Sequence, residues 1–122
     1  LVVDDEPDVI ELIEMLLCRK GYEVLTAANG MEGLMRAHEE GPDLILLDIM
    51  MDEMDGWETL KLLKLEPATK AIPVVMVSAR MEPRDKIRGL QEGAVDYITK
   101  PFAVKDLLDT VAGVLGSREE SA

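Results

Sequence analysis

Apolar residues in this chain follow two patterns. Unbroken runs at Leu1-Val2-Val3, Leu44-Ile45-Leu46-Leu47, Ile72 to Val77 and Tyr97-Ile98-Thr99 read as strands, and Tyr22 to Thr26 as a further one. Between them apolar positions recur at helical spacing. Val9, Leu12, Ile13, Leu16 and Leu17 form one stripe, which Gly21 should stop. Met31, Leu34, Met35 and His38 form a second, before Gly41-Pro42. Trp57, Leu60 and Leu63 predict a helix ending near Glu66-Pro67, because a residue before proline avoids helical geometry. Val104, Leu107, Leu108, Val111 and Leu115 predict a last helix ending near Gly116. Strands alternating with helices of this length indicate βαβ units and an α/β fold with five parallel strands and five helices. The segment from Pro83 to Glu92 differs: only Ile87 and Leu90 are available for burial. It reads either as a weakly held helix free to move or as a short surface helix.

The four main runs each end on a residue that can do chemistry: Asp4-Asp5, Asp48, Ser78 and Lys100-Pro101. In an open parallel sheet all these ends share one edge, where ligands bind. Three carboxylates, a hydroxyl and an ammonium would meet there. Neighbouring carboxylates repel unless a cation sits among them, and a few hard oxygen ligands suit Mg²⁺, which takes phosphate oxygens to complete its shell. A free carboxylate can attack phosphorus, while Lys100 and Ser78 are suited to hold the transferred group. Single acids at strand ends are ordinary loop residues; the combination argues for a phosphoryl-transfer site.

Size and composition narrow the classes. At 122 residues the chain is expected to be one domain, residues 1–122, and 48% hydrophobic with 31% charged residues fits a folded globular protein. No apolar stretch nears the ~20 residues of a membrane span, and no signal-peptide pattern is visible. The single cysteine, Cys18, cannot form an internal disulfide, which fits a cytoplasmic location. A net charge of −12 argues against direct nucleic-acid binding. Leu1 lies within a strand pattern and is not a start methionine, so the chain is expected to be a fragment or to lack its first residues.

Taken together, the motifs resemble the receiver domains of two-component response regulators along the whole chain. Asp4-Asp5-Glu6 is similar to the family's acidic pair, and Asp48-Ile49-Met50-Met51 with Met54-Asp55-Gly56 to its phosphoacceptor loop. Ser78-Ala79, Gly93-Ala94-Val95-Asp96-Tyr97 and Lys100-Pro101-Phe102 match the switch hydroxyl, the approach to the last strand and the lysine with its usually cis proline. The resemblance implies a flavodoxin-like (βα)5 doubly wound sheet of order 2-1-3-4-5. It implies phosphorylation of Asp48 and Mg²⁺ held by Asp5, Asp48 and the Met50 carbonyl, with Asp4 acting through water. Lys100 would pair with the phosphoryl group, and Ser78 and Tyr97 would be the switch pair. A sensor histidine kinase or histidine phosphotransfer protein would be the donor. An effector domain or downstream protein would read the surface of helix four, strand five and helix five. Such a domain is no enzyme beyond catalysing its own phosphorylation and dephosphorylation.

Some positions depart from the family pattern. Asp52 stands where proline is common, and Met50 and Arg80 occupy positions that tune phosphate lifetime without being evident positioners of water. Three other readings are weaker. An aspartyl-phosphate phosphatase would carry a second acid at Met50, and a flavin carrier would not place Asp4-Asp5-Glu6 at a phosphate. A degenerate receiver serving as a scaffold would not need the intact set Asp5, Asp48, Ser78 and Lys100. His38 reads as a boundary residue, Trp57 as packing at the start of helix three, and the methionines as filler. Along helix five Lys105 is the only basic residue, while Asp106 and Asp109 would face Glu92 and Asp96 of a twin subunit. A monomer or weak dimer and an output other than a winged-helix DNA-binding domain are therefore expected.

Overall fold

The computed structural model describes residues 1–79 and 82–121. Its elements run β1 (Val2–Val3), α1 (Pro7–Arg19), β2 (Thr26–Ala27), α2 (Gly30–Glu40), β3 (Ile45–Asp48), α3 (Gly56–Leu65), β4 (Val74–Ser78), α4 (Pro83–Gln91), β5 (Asp96–Thr99) and α5 (Val104–Ser121). All strand pairs are parallel, and the order is β2-β1-β3-β4-β5. This is the doubly wound, flavodoxin-like arrangement expected from the sequence.

The unbroken apolar runs have a simple cause, since the sheet is covered on both faces. Val3, Ile45, Leu47, Val74 and Met76 face one core, with Ala37, Leu60 and Leu63 of α2 and α3. Their neighbours Val2, Leu46, Val75 and Val77 face the other, with Ile13, Leu16, Leu107 and Val111 of α1 and α5. Each fully buried leucine, such as Leu47, Leu60 or Leu107, contributes about 1.5–3 kcal/mol.

Helix starts follow local chemistry. Asn29 caps α2 by accepting the Glu32 amide at 2.8 Å, and Asp55 caps α3 by accepting the Glu58 amide at 2.9 Å. Gly41, with φ of +55°, closes α2. At the end of α3, Glu66 before Pro67 is extended, as its neighbour requires.

Four expectations need correction. In α1 Leu12 is exposed, and the buried face is Ile13, Leu16 and Leu17. In α2 the face turned inward is Gly30, Gly33 and Ala37, with Met31, Met35 and His38 outside. The reason is proximity: a Cβ on Gly33 would lie 2.9 Å from Val3 Cγ2, and one on Gly30 would lie 2.3 Å from Thr59 Oγ1. Only small residues let α2 seat so close to β1 and α3. Strand β2 is just Thr26–Ala27 rather than Tyr22 to Thr26, although the Val2 amide does reach the Leu25 carbonyl at 2.8 Å. Finally, α5 runs through Gly113 and Gly116 to Ser121. Glycine costs a helix about 1 kcal/mol but keeps its N–H, so it weakens a helix without ending it.

Candidate functional site

Parallel register brings the candidate residues together. Val3 lies beside Leu47, so Asp4 and Asp48 follow at the ends of adjacent strands, and Ser78 lies beside Thr99, one residue before Lys100. Asp4, Asp48 and Ser78 are 2%, 3% and 0% exposed. Polar side chains buried this deeply require partners, and Asp4 has two: its Oδ1 accepts the Glu6 amide at 2.9 Å and its Oδ2 accepts Lys100 Nζ at 2.8 Å. Lys100 Nζ stands 3.7 Å from both Asp48 Oδ2 and Glu6 Oε1. Asp48 Oδ1 accepts the Met50 amide at 3.3 Å.

One carboxylate oxygen from each of Asp4, Asp5, Glu6 and Asp48 falls within a common span of 4.8 Å. Lys100 alone cannot neutralise four acids. Burial first, then the charge of Asp4, pushes the Asp48 carboxyl from its ordinary 3.8 up to about 6, with Lys100 and the Met50 amide pulling the other way and Asp5 adding a little. Burial of Lys100 would lower its value, but the hydrogen bond to Asp4 and the charges of Asp48, Asp4 and Glu6 outweigh that and raise it. The donor set is all hard oxygen, crowded and short of positive charge, so it fits a divalent cation such as Mg²⁺.

The backbone around Asp48 is tightly drawn. The Gly56 amide donates to the Ile49 carbonyl at 2.8 Å, and a Cβ at position 56 would lie 2.2 Å from the Asp48 carbonyl oxygen. Between these points Glu53 adopts φ of +63°, a left-handed conformation unusual for a residue with a side chain. The Lys100 amide donates to the Ser78 carbonyl at 2.9 Å, tying β5 to β4 at the site. The Lys100–Pro101 peptide is cis.

Of the residues singled out in the sequence, Asp4, Asp5, Asp48, Ser78 and Lys100 lie along this one edge. The Met50 side chain faces solvent and its amide faces Asp48. Tyr97 is half-buried on β5, with Lys86 Nζ 4.6 Å from the centre of its ring. Arg80 lies outside the described residues. His38 is exposed on α2 and paired with Glu66. Two features were missed. Glu6 belongs to the acidic cluster, a role that its place directly after Asp4-Asp5 could have signalled. The closest carboxylate to Lys100 is Asp4, not Asp48, and no sequence pattern distinguishes the two.

A model of the response regulator receiver domain matches residues 1–112. The chain belongs to that family. This receiver domain is 42% identical over 122 residues to the alkaline phosphatase synthesis transcriptional regulatory protein PhoP of Bacillus subtilis, covering 100% of this chain and 50% of that protein. It is 38% identical to the protein PilH of Pseudomonas aeruginosa, over 94% of this chain and 95% of that one. Among solved structures, chemotaxis protein CheY4 of Vibrio cholerae superposes with a TM-score of 0.88 at 34% identity, covering 93% of this chain and 94% of its own. The receiver domain thus spans about half the length of PhoP and nearly all of PilH. Among its described residues, no helix is long and apolar enough to cross a membrane.

Proposed function

We propose that this receiver domain is a phosphorylation-controlled switch in which Asp48 accepts a phosphoryl group from a histidine kinase or a histidine phosphotransfer protein. The observation that carries the reading is a buried Asp48 inside a cluster of four acids, 3.7 Å from the Lys100 ammonium. With its carboxyl raised only to about 6, Asp48 is still an anion at neutral pH. It can therefore act as the nucleophile: an Asp48 oxygen bonds to phosphorus as the bond from phosphorus to the donor imidazole nitrogen breaks.

Asp5, Asp48 and the Met50 carbonyl would hold Mg²⁺, with Asp4 acting through water and Glu6 adding charge at the rim. When bound, the cation supplies positive charge between the carboxylates and the phosphoryl oxygens. Lys100 sits on the same edge and needs only to exchange Asp4 for the new phosphoryl oxygens. Ser78, on the neighbouring strand, would donate its hydroxyl to them, and Tyr97 would respond to that movement. The group added is small, and its effect comes from biasing a two-state element. The changed face of α4, β5 and α5 would then be read by an effector domain or a downstream protein.

The catalysis proposed is confined to the domain's own phosphorylation and dephosphorylation. With a net charge of −12, the domain itself is proposed not to touch nucleic acid and to act in the cytoplasm as a monomer or weak dimer. A relative from Synechocystis, 39% identical over 94% of this chain and 48% of its own length, is named a DNA-binding dual master transcriptional regulator. That name gives no support to the expectation of an output other than a winged-helix DNA-binding domain.

The direct test is intact-mass measurement after incubation with Mg²⁺ and acetyl phosphate. One added phosphoryl group is expected on the native chain and none on Asp48→Asn. Undiminished labelling of the variant would overturn the assignment.

A further inference from the structure

Helix α4 is anchored in a way that its apolar residues do not explain. Ile87 and Leu90, the two side chains offered for burial by the sequence, are 58% and 53% exposed, and the buried residue of the helix is Gly89. In their place two cations lie over aromatic rings of other elements. Lys86 covers Tyr97, and the Arg88 guanidinium carbon is 4.3 Å from the centre of the Trp57 ring system. Arg88 Nε also reaches Glu92 Oε2 at 3.2 Å, which holds the guanidinium over the indole. A Cβ on Gly89 would lie 3.9 Å from Trp57 Cη2, so the indole meets α4 at its backbone as well as at Arg88. A cation over an aromatic face is attracted by the ring quadrupole, so each of these contacts can hold the helix where an apolar side chain does not. Together with the packing of Gly89 near Met76 and Ala94 and the Ala94 amide on the Gly89 carbonyl at 2.8 Å, these contacts position the helix.

Trp57 is in turn tied to the acceptor. It follows Gly56, whose amide is bonded to the Ile49 carbonyl at 2.8 Å. The Gly56 Cα packs so closely on the strand end that a Cβ there would lie 2.2 Å from the Asp48 carbonyl oxygen and 2.6 Å from Ile49 Cα. A shift of Asp48 or Ile49 would therefore press on Gly56, the residue before Trp57. The line of contact thus runs from Asp48 through Gly56 and Trp57 to Arg88 and Gly89, and it includes neither Ser78 nor Tyr97.

We propose that Arg88, through its stack on Trp57, is a positioning residue that couples the acceptor loop to α4 by a route separate from the Ser78–Tyr97 pair. The proposal rests on the phosphorylation reading above. It gives α4 two inputs. Lys86 on Tyr97 reports the movement of β5, and Arg88 on Trp57 reports the acceptor loop. Spatial continuity alone does not establish coupling, so the two inputs must be separated by perturbation.

Trp57 is the single tryptophan of the chain, so its fluorescence reads the contact directly, and amide chemical shifts read the rest. The probe is Mg²⁺ with beryllofluoride, a mimic of the phosphoryl group, added to the full 122-residue chain. In the native protein, shifts are expected at Asp48, Tyr97 and Gly89, together with a change in Trp57 fluorescence. Ser78→Ala should silence Tyr97 and leave the Gly89 and Trp57 responses. Arg88→Met, which keeps the aliphatic stem, should leave Asp48 and Tyr97 responding and cut the Gly89 and Trp57 responses by about half or more. Arg88→Lys restores the cation and should recover part of that loss. Glu92→Gln, which frees the guanidinium without touching the indole, should act in the same direction as Arg88→Met but more weakly. A Gly89 response unchanged in Arg88→Met, or one that vanishes together with Tyr97 in Ser78→Ala, would overturn the second route. Absence of any response at Asp48 in the native protein would instead overturn the phosphorylation reading, and this inference with it.

Discussion

Replacing Asp48 by asparagine should stabilise the metal-free receiver domain, and by an amount that depends on pH. The side chain is 3% exposed and lies beside Asp4, and its carboxyl is raised from 3.8 to about 6. The folded protein therefore binds the Asp48 proton more tightly than the unfolded chain does. The cost of keeping Asp48 ionised is absent below the unfolded value of 3.8, grows as the pH rises, and is complete above about 6. At about 1.36 kcal/mol per pH unit the full cost is on the order of 3 kcal/mol. Asparagine keeps an oxygen for the Met50 amide, which now reaches Asp48 Oδ1 at 3.3 Å, and carries no charge. Lys100 retains its shorter contact to Asp4 at 2.8 Å. Urea unfolding in chelator-treated buffer from pH 4 to pH 8 should show a gap between variant and native chains that is smallest, about 0.5 kcal/mol, at the acid end. It should reach about 2–3 kcal/mol at the other, a Tm difference of up to about 10 °C. Saturating Mg²⁺ should close the gap by stabilising the native chain alone. A gap that is absent at pH 8, or the same at every pH, would refute the argument that a buried, uncompensated Asp48 charge strains the site.

Other consequences can be checked separately. Mg²⁺ should raise the Tm of the native chain by mass action, by about 2.7 kcal/mol of stability at one hundred times Kd, and Asp5→Asn should remove most of the gain; a melt insensitive to Mg²⁺ would argue against the carboxylate site. Glu53 stands at φ of +63°, so Glu53→Gly should raise unfolding stability by about 0.5–1 kcal/mol by relieving left-handed strain, with a loss of stability as the contrary result. Asp106 and Asp109 are expected to oppose Glu92 and Asp96 across a symmetric α4–β5–α5 pairing. Sedimentation with beryllofluoride should therefore find a monomer or weak dimer, and a tight dimer through that face would show the charge argument to be wrong.

The sequence by itself determined the order of elements, the parallel sheet and the edge on which Asp4, Asp5, Asp48, Ser78 and Lys100 meet. Those features follow from local periodicity and from one property of parallel strands, that their carboxyl ends point the same way. Tertiary structure decided what periodicity does not encode. Gly33 seats α2 on Val3 and Gly89 seats α4 near Trp57, but a residue without a side chain adds nothing to an apolar stripe. The stripes therefore assigned burial to Met31, Met35, Ile87 and Leu90, all of which are exposed. Closeness of approach between helix and sheet chose the inward face. The same holds at the site. Lys100 meets Asp4 at 2.8 Å and Asp48 at 3.7 Å, a preference of about one ångström set by how residues 96 positions apart are brought together. Glu6 likewise joins the cluster because the chain turns at the end of β1 and brings its carboxylate back toward Lys100. Local pattern sets which residues reach an edge; only the packed sheet sets the distances between them, and electrostatic interaction depends on distance.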